Sequence, residues 1–378
     1  MKVAFIGQKG MPAVGGGVER YVEDLSIRLA EAGNEVTVYT RAYYTPAALR
    51  EYSGVKLVSL PSIYTKHLDA ITHSFLACMH AIFSGAEIIH FQSIGSALVS
   101  PIPRIFNPKI RIVSTLQSRD YEHGKWGRLA KRVLLLGEWL MCKMSDSIVV
   151  VTQSMVEYVR ERYGKEAIYI PNGAVIQPEV GSESLATWNL ESKKYIVAIS
   201  RFISHKGLSH LVEAYKQLPE LKQPLVLVGE GSFTDEYVSE LKKLASTDKR
   251  IIFTGPQYGE TLAELYANAY LFVQPSESEG LSLALLEAMA RRVPVLVSDI
   301  PENLEAVGQS ALVFATRDVE DLREKLRFAV ENPEILEEKI TLALRRVDIC
   351  FNWDQIAQNM NELYAQNLNE VKPSEVLS

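Results

Sequence analysis

The feature of this 378-residue sequence that most restricts its fold is a regular alternation of short β-branched runs with stretches of helix length. Runs such as KVAFIG, EVTVYT and EIIHF are almost continuously apolar, which is typical of parallel strands that helices cover on both faces. After a segment rich in Pro, Gly, Ser and Asn, the alternation begins again. These patterns predict an α/β fold with two Rossmann-like domains whose parallel sheets face each other across a cleft.

Two sets of predicted strands set the domain boundaries. The first set comprises KVAFIG, EVTVYT, VKLVSL, EIIHF, IRIVST, SIVVV and AIYIP, and the second comprises YIVAIS, PLVLVG, RIIFTG, AYLFVQ, VPVLVS and ALVF. We predict a first domain over residues 1–172, a linker over 173–194 and a second domain over 195–352. The last helix, 353–370, could belong to either domain, and we expect it to complete the first.

The charge distribution bears on the class of partner. Hydrophobic residues make up 47% and charged residues 23% of the chain, as in soluble globular proteins. Lys+Arg against Asp+Glu number 20 and 15 in residues 1–170, and 20 and 31 in residues 171–378, so the halves carry +5 and -11, giving the net charge of -6. An acidic chain with no basic aromatic stripe is not expected to bind nucleic acid.

Targeting and cysteine patterns predict a cytoplasmic protein. The N-terminus, MKVAFIGQKG, is a strand pattern with no cleavable signal. No apolar run reaches the roughly 20 residues that a membrane-spanning helix needs. Cys78, Cys142 and Cys350 are far apart and odd in number, which predicts packing roles rather than disulfides or a metal site.

Glycines follow the first predicted strand. Gly15, Gly16 and Gly17 directly precede an amphipathic stretch, so backbone N–H groups there can approach an anion closely. Their spacing matches neither GxGxxG nor GxxxxGK(S/T), so neither a dinucleotide fingerprint nor a P-loop is supported. A flexible turn between strand and helix is an equally good interpretation.

Two cations lie in the segment ISRFISHKG, after the first strand of the second domain. Arg201 and Lys206 would lie at the carboxyl end of that strand, beside the N–H groups of a helix start. A diphosphate could be neutralised there without a metal ion. A solvated loop would also contain such residues.

The stretch PSESEGLSLALLEAMA places Glu279 on a loop and Glu287 on a helix whose N-cap is Ser282. Eight positions at about 1.5 Å each separate the two carboxylates by on the order of 10 Å, which excludes a shared proton or a shared metal ion. This spacing suits an elongated ligand with hydroxyls at both ends and a diphosphate near Gly280, Leu281 and Ser282, such as a nucleotide sugar. The alternative is a half-buried Glu287 and a solvated Glu279.

Four segments together resemble a family 4 retaining glycosyltransferase of the GT-B architecture. They are GGGVERYVEDLSIRLAEAGNEVTVYT, IPNGA, SRFISHKG and ESEGLSLALLEAMARRVPVLVSDIPENLEAVG. The segment RDYEHGKWGRLAKR is further similar to bacterial polysaccharide-building members, some of them rhamnosyltransferases. The resemblance implies a hexosyltransferase that moves a sugar from a nucleotide-diphosphate donor to a saccharide or lipid-linked acceptor in surface polysaccharide biosynthesis. It implies no metal and no other cofactor, with acceptor binding in the first domain and donor binding in the second.

The resemblance also assigns roles to residues. It gives the diphosphate to Arg201 and Lys206, the ribose to Glu287, the donor sugar hydroxyls to Glu279, and the phosphates, from the other domain, to Gly16 and Gly17. Catalysis in this family is thought to be a front-face transfer in which the leaving diphosphate helps to deprotonate the acceptor. The protein then supplies positioning and charge stabilisation.

The chain departs from the family pattern at Gln117, where many relatives carry a histidine. A glutamine cannot take a proton at neutral pH, so general-base histidine chemistry is not expected at this position. Asp120 and His123 follow in the same loop, and His90 ends an earlier strand. All three are candidate acceptor-side residues, and surface-loop or packing roles are their alternatives.

Residues 125–144, KWGRLAKRVLLLGEWLMCKM, combine basic residues with tryptophans and leucines. This composition predicts a helix that rests on anionic lipid headgroups, giving a peripheral contact with the inner face of the plasma membrane. A core helix with a solvated basic edge is the alternative.

Two other functions fit the same sequence. A nucleotide-sugar epimerase on the same two-domain plan would convert the donor with no acceptor present. A non-catalytic sensor of nucleotide sugars would bind without turnover, and Gln117 is the residue that favours it.

Overall fold

A computed structural model of the chain describes residues 1–65, 67–119, 121, 127–231 and 234–370. The chain forms two compact units, the first comprising Met1–Asn172 and the segment that begins at Trp353, and the second comprising Gly173–Asn352. Each unit is built around one mainly parallel sheet, which confirms the predicted α/β class.

Every predicted strand is present. The strands of the first unit are β1 (Lys2–Ile6), β2 (Glu35–Arg41), β3 (Glu51–Tyr52), β4 (Val55–Leu60), β5 (Ile88–Gln92), β6 (Arg111–Leu116), β7 (Ser147–Val150) and β8 (Ile168–Tyr169). The strands of the second unit are β9 (Ile196–Ile199), β10 (Leu225–Val228), β11 (Ile251–Gly255), β12 (Leu271–Gln274), β13 (Val295–Ser298) and β14 (Leu312–Phe314). The sequence pattern missed β3, a two-residue antiparallel strand beside β4.

Helices connect the strands and cover the sheets. They are α1 (Gly17–Glu31), α2 (Asp69–Phe83), α3 (Ser93–Ala97), α4 (Pro101–Phe106), α5 (Arg128–Met144), α6 (Gln153–Tyr163), α7 (Leu208–Lys216), α8 (Asp235–Ala245), α9 (Gly259–Ala267), α10 (Leu283–Ala290), α11 (Pro301–Val307), α12 (Val319–Glu331), α13 (Pro333–Cys350) and α14 (Trp353–Asn369). Because helices lie on both faces, central strands such as β6 and β10 are buried along their whole length.

The strand order creates a switch point in each sheet. In the first unit the order is β3-β4-β2-β1-β5-β6-β7-β8, so the chain runs outward from β1 to β4 and then returns to the other side of β1. In the second unit the order is β11-β10-β9-β12-β13-β14, which places the switch between β9 and β12. Ligands of open parallel sheets bind beyond the carboxyl ends of strands at such points, so the loops after β9 and β12 are the first place to look.

The segment predicted as a linker, 173–194, packs on the second unit. Residues Glu183–Trp188 form a short 3₁₀ helix, and the Leu185 side chain is buried. The Ser184 amide donates to the Glu264 carboxylate over 2.7 Å. These contacts explain why the second unit begins at Gly173.

Helix α14 lies on the first unit, where it packs against α1. The Tyr21 and Trp353 rings have centroids 5.8 Å apart, and Arg28 pairs with Asp354 over 3.0 Å. The Tyr364 hydroxyl reaches the β5 side chain His90 over 2.6 Å.

The cysteine prediction was right for two residues of three. Cys78 and Cys142 are buried packing residues of the first unit, whereas Cys350 is exposed at the end of α13.

Candidate functional site

The loops that follow β9 and β12 meet at the switch point of the second unit. The Glu277 amide donates to the His205 carbonyl over 2.8 Å. Gly207 has φ 67°, and a Cβ at this position would lie 1.9 Å from the Pro275 carbonyl oxygen. Glycine is therefore required at residue 207 for the two loops to approach each other.

This approach brings together two of the predicted site residues. The Lys206 ammonium lies 2.5 Å from Oε1 of Glu279, and their side chains are 14% and 8% exposed. The Ser276 hydroxyl donates to the same oxygen over 2.7 Å. Glu279 is thus a largely buried carboxylate with its orientation fixed, rather than the solvated side chain of the alternative interpretation.

Arg201 lies in the same loop as Lys206 but in different surroundings. Its residue is exposed, and its guanidinium makes no hydrogen bond or ion pair with the described residues. One of the two predicted cations is therefore already paired, and the other offers its donors to solvent.

The helix start predicted at Ser282 is present. Ser282 is the N-cap of α10, and its hydroxyl accepts from the Leu285 amide over 3.3 Å. Gly280 and Leu281 complete the turn between Glu279 and this cap, and Leu281 is buried. The first amides of α10 therefore begin directly after the loop that carries Glu279.

Glu287 lies on α10, as the sequence predicted, and it is half-buried, as in the alternative interpretation. Burial, and to a lesser degree the charge of Glu287, raises the pKa of Tyr266 well above its ordinary value. Tyr266 stacks on Phe272 of β12. The ribose role of Glu287 stays a prediction.

Sequence reasoning missed two buried amides beneath this loop. Gln274 ends β12 and Asn303 lies on α11, and the two side chains are 6% and 1% exposed. Nε2 of Gln274 donates to Oδ1 of Asn303 over 2.7 Å. Only the glutamine in the otherwise apolar run AYLFVQ could have marked this pair, because burial of Asn303 depends on tertiary packing.

The glycine loop of the first unit is organised by carboxylates from α1. The Lys9 amide donates to Glu19 over 2.9 Å, and the Ala13 amide donates to Glu23 over 2.7 Å. Gly16 has φ 101°, and a Cβ there would lie 2.1 Å from Oε2 of Glu19. The loop therefore requires glycine at residue 16 for a local reason, and phosphate contacts by Gly16 and Gly17 stay a prediction.

Gln117 lies at the carboxyl end of β6, beside the end of β5. Its Nε2 donates to Oε1 of Gln92 over 3.2 Å, and both side chains are largely buried. Nε2 of Gln92 has no hydrogen-bond partner among the described residues. Asp120 and His123 lie outside the described residues, so their predicted acceptor roles stay untested.

The structure contradicts an acceptor role for His90. The ring is fully buried, with Nδ1 2.6 Å from the Tyr364 hydroxyl and Nε2 2.6 Å from the Thr115 hydroxyl. Burial lowers the pKa of His90 to about 3, so the ring is neutral at neutral pH. His90 is the packing residue of the alternative interpretation, because both ring nitrogens are occupied within the core.

Helix α5 presents an apolar stripe outward. Four of its apolar side chains are between 42% and 76% exposed: Leu129, Val133, Leu136 and Trp139. Arg128, Arg132 and Lys143 are exposed on the same helix.

Among the described residues, every helix is too short or too polar to span a bilayer. Within the same ranges, no group of three or more His, Cys, Asp or Glu side chains is arranged to hold a metal ion.

Comparison with protein families gives two matches. Residues 15–177 match the model described as Glycosyltransferase Family 4, and residues 183–345 match that described as Glycosyl transferases group 1. Among curated proteins, the chain is 25% identical to glycogen synthase of Mycobacterium tuberculosis, over 96% of this chain and 94% of the relative. It is 28% identical to the N,N'-diacetylbacillosaminyl-diphospho-undecaprenol alpha-1,3-N-acetylgalactosaminyltransferase of Campylobacter jejuni, over 70% and 72%.

Solved structures share the fold over nearly the whole chain. The sucrose-phosphate synthase of Thermosynechococcus elongatus superposes with a TM-score of 0.83 at 25% identity, covering 96% of this chain and 98% of the other. The HepE protein of Anabaena, solved with UDP-glucose, superposes with a TM-score of 0.79 at 19% identity, covering 97% and 100%.

Proposed function

Because this chain belongs to the family 4 glycosyltransferases, with the GT-B fold, we propose that its second unit binds a nucleotide-diphosphate sugar. The observation that supports this most is the placement of Lys206, Glu279 and the exposed Arg201 at the switch point between β9 and β12. Cations and helix N–H groups there suit a diphosphate, and a fixed carboxylate beside them suits sugar hydroxyls.

The proposed reaction is transfer with retention to a saccharide or lipid-linked saccharide. The bond between the anomeric carbon and the diphosphate oxygen breaks, and the diphosphate keeps the electron pair. The acceptor hydroxyl forms the new bond on the same face and gives its proton to the leaving diphosphate. Arg201 and Lys206 stabilise the charge that develops, while Glu279 holds the sugar hydroxyls and Glu287 the ribose.

A thermal-shift panel of UDP, dTDP and GDP, followed by their sugars, tests the donor assignment. Binding to the folded state raises the melting temperature, and more so for a tighter ligand, so at least one nucleotide should stabilise the protein. Lys206→Ala and Glu279→Ala should abolish transfer while the protein stays folded. Stabilisation by none of the three nucleotides, or full activity in both variants, would exclude the assignment.

The same assay separates the rival functions. Consumption of the nucleotide sugar with no acceptor present would favour an epimerase. Binding without turnover in the presence of saccharide and lipid-linked acceptors would favour a sensor. Consumption that depends on an acceptor is the outcome that we expect.

We further propose that the first unit contacts an anionic membrane through α5 and takes a lipid-linked acceptor there. The exposed apolar stripe and the cations of α5 support this contact. For the lipid part of such an acceptor we propose a cavity of about 600 Å³ near α2, whose wall is mainly apolar: Pro61, Ser62, Ile63, Ile71, Thr72, Phe75, Leu76 and Val99. The inner face of the plasma membrane is the proposed location, because nucleotide sugars are made in the cytoplasm.

A further inference from the structure

The loop that carries Glu279 is fastened at both ends by one chain of buried hydrogen bonds. At the C-terminal end, the Ser282 hydroxyl donates to Oε1 of Gln274 over 2.6 Å, and Nε2 of Gln274 continues to Asn303. At the N-terminal end, Nδ2 of Asn303 donates to the Ser298 hydroxyl over 2.9 Å, and that hydroxyl donates to the Ser276 carbonyl over 2.5 Å. Ser276 is the residue whose own hydroxyl holds Glu279.

Two backbone carbonyls fix the direction of every donor in this chain. The Ser298 carbonyl lies 3.2 Å from Asn303 and can only accept, so the amide nitrogen of Asn303 must face it. Oδ1 of Asn303 therefore faces Gln274, which must present its own nitrogen. Oε1 of Gln274 then faces Ser282, whose hydroxyl donates to it and keeps a lone pair for the Leu285 amide. The Ser276 carbonyl likewise requires a proton from Ser298.

The surroundings make a wrongly directed donor costly. Asn303, Ser298 and Ser276 are each 1% exposed or less, so water does not replace a lost partner. A buried donor or acceptor without a partner destabilises the fold by the full free energy of its desolvation. The chain is also connected from one loop end to the other, so an error at Asn303 affects both ends together.

We propose that Gln274 and Asn303 are positioning residues that set the place of Glu279 and of the α10 N-terminus, and thereby the affinity for the nucleoside diphosphate. The inference rests on the proposed donor site of the second unit. Neither residue contacts the ligand in this proposal, because both act through Ser276 and Ser282.

Asn303→Asp and Gln274→Glu test the donor directions in this chain of hydrogen bonds, since each replaces one NH₂ by an oxygen with almost no change of shape. At about pH 8 the new carboxylate faces an acceptor, and we expect the affinity for the best-binding of UDP, dTDP and GDP to fall at least about tenfold. Protonation of this carboxylate to the carboxylic acid restores a donor at the required place. A buried carboxyl that faces acceptors has a raised pKa, so affinity should return to within about threefold of wild type at about pH 5.5.

Other titratable or charged groups lie near this hydrogen-bond chain, so the wild type serves as the reference at each pH. They are Lys206, His210, Glu277, Glu279, Asp299, Glu302 and Arg317. Dividing each variant's Kd, measured by calorimetry, by that of the wild type at the same pH removes their common contribution. Asn303→Leu, which cannot regain a donor, should stay weak at both pH values.

Asn367→Asp is a matched control in the first unit. Asn367 is 3% exposed, and its Nδ2 donates to the Leu363 carbonyl over 2.8 Å and to the Ser147 hydroxyl over 2.9 Å. Its replacement should lower the melting temperature at high pH but leave the nucleotide Kd unchanged. This contrast separates positioning from a general loss of stability.

The outcomes are distinct. Wild-type affinity at about pH 8 in folded Asn303→Asp and Gln274→Glu, or a deficit in both that low pH does not relieve, would overturn the inference. If Asn303→Asp does not fold at high pH, Gln274→Glu decides alone. If the wild type bound none of the three nucleotides, the proposed function would fall, and the positioning role with it.

Discussion

Arg201 and Lys206 belong to one loop, yet removing each should have a different consequence. Among the described residues, Lys206→Met leaves the largely buried Glu279 carboxylate with Ser276 as its partner, and an uncompensated buried charge costs about 3–5 kcal/mol. Arg201→Ala removes an exposed side chain, so stability should change by less than about 0.5 kcal/mol. Both variants should bind the nucleoside diphosphate more weakly, as calorimetry would measure.

The double variant Lys206→Met with Glu279→Gln is the internal control for this prediction. Because it removes both charges of the pair, its melting temperature should recover most of what Lys206→Met loses. Equal melting temperatures for Arg201→Ala and Lys206→Met would contradict the difference in surroundings.

Two buried histidines should make the first unit sensitive to acid. Burial lowers the pKa of His90 to about 3, and burial followed by the charge of Arg41 lowers the pKa of His73 to about 4. In the unfolded chain both rings take a proton near pH 6.5, so the unfolded state binds more protons below that pH. Stability should therefore fall as pH drops from about 6.5 towards 4, by up to about 1.4 kcal/mol per pH unit for each ring.

His73→Gln should reduce this slope, as thermal unfolding between about pH 7 and pH 5 would measure. His80→Gln, at an exposed residue of the same helix, is the matched control for removal of an imidazole that is not buried. A wild-type melting temperature that stays constant over this range would refute the argument.

At the scale of elements, α5 exposes an apolar stripe together with cations, and we expect it to bind an anionic membrane surface. Wild-type protein should sediment at low salt with vesicles that contain an anionic lipid and not with neutral vesicles. Replacing Arg128 and Arg132 with glutamine should lower the partition coefficient by about 30-fold, at about 1 kcal/mol for each charge. Lys242→Gln with Lys243→Gln, two exposed cations on α8, should have no effect. Equal sedimentation with both kinds of vesicle would count against the contact.

The strands could be predicted from the sequence because buried parallel strands are apolar along their whole length. The run KVAFIG is almost continuously apolar and therefore suits a strand inside a covered sheet, so the sequence predicts β1 and the similar strands individually. Strand β3 was not predicted, since Glu51 and Tyr52 carry no periodic pattern and pair only because β4 lies beside them. The pattern of 173–194 predicts a linker for the same reason, because the contacts of this segment with α9 are tertiary.

The candidate site was predictable in part. Cations after one strand and a carboxylate after another can be read from the sequence, because the carboxyl ends of parallel strands share an edge. Their pairing could not be read, since it depends on the close approach that Gly207 permits. The role of His90 was ambiguous from the sequence. Its position at a strand end does not indicate that the hydroxyl of Tyr364, far away in the chain, forms a hydrogen bond with its Nδ1.

At the scale of the whole molecule, the two units differ in how the chain builds them. The second unit is one uninterrupted segment, Gly173–Asn352, whereas the first needs α14 from the far end of the chain. Without α14, Tyr21 loses Trp353 and buried His90 loses the Tyr364 hydroxyl. Loss of one large buried aromatic side chain leaves a cavity and lowers the free energy of unfolding by about 3–5 kcal/mol.

We therefore expect fragment 173–352 to unfold cooperatively and to bind the same nucleotide as the full chain, and fragment 1–172 to show no cooperative transition. Joining 1–172 to 353–370 through a short Gly/Ser linker should restore that transition, because the ends to be joined are close. The Ala174 amide donates to the Phe351 carbonyl over 2.9 Å, so Asn172 and Trp353 each lie two residues from a bonded pair. Circular dichroism during heating would measure the unfolding transitions of fragment 173–352, fragment 1–172 and the joined protein. A cooperative transition of fragment 1–172 alone, at the temperature of the joined protein, would show that α14 is not needed to complete the first unit.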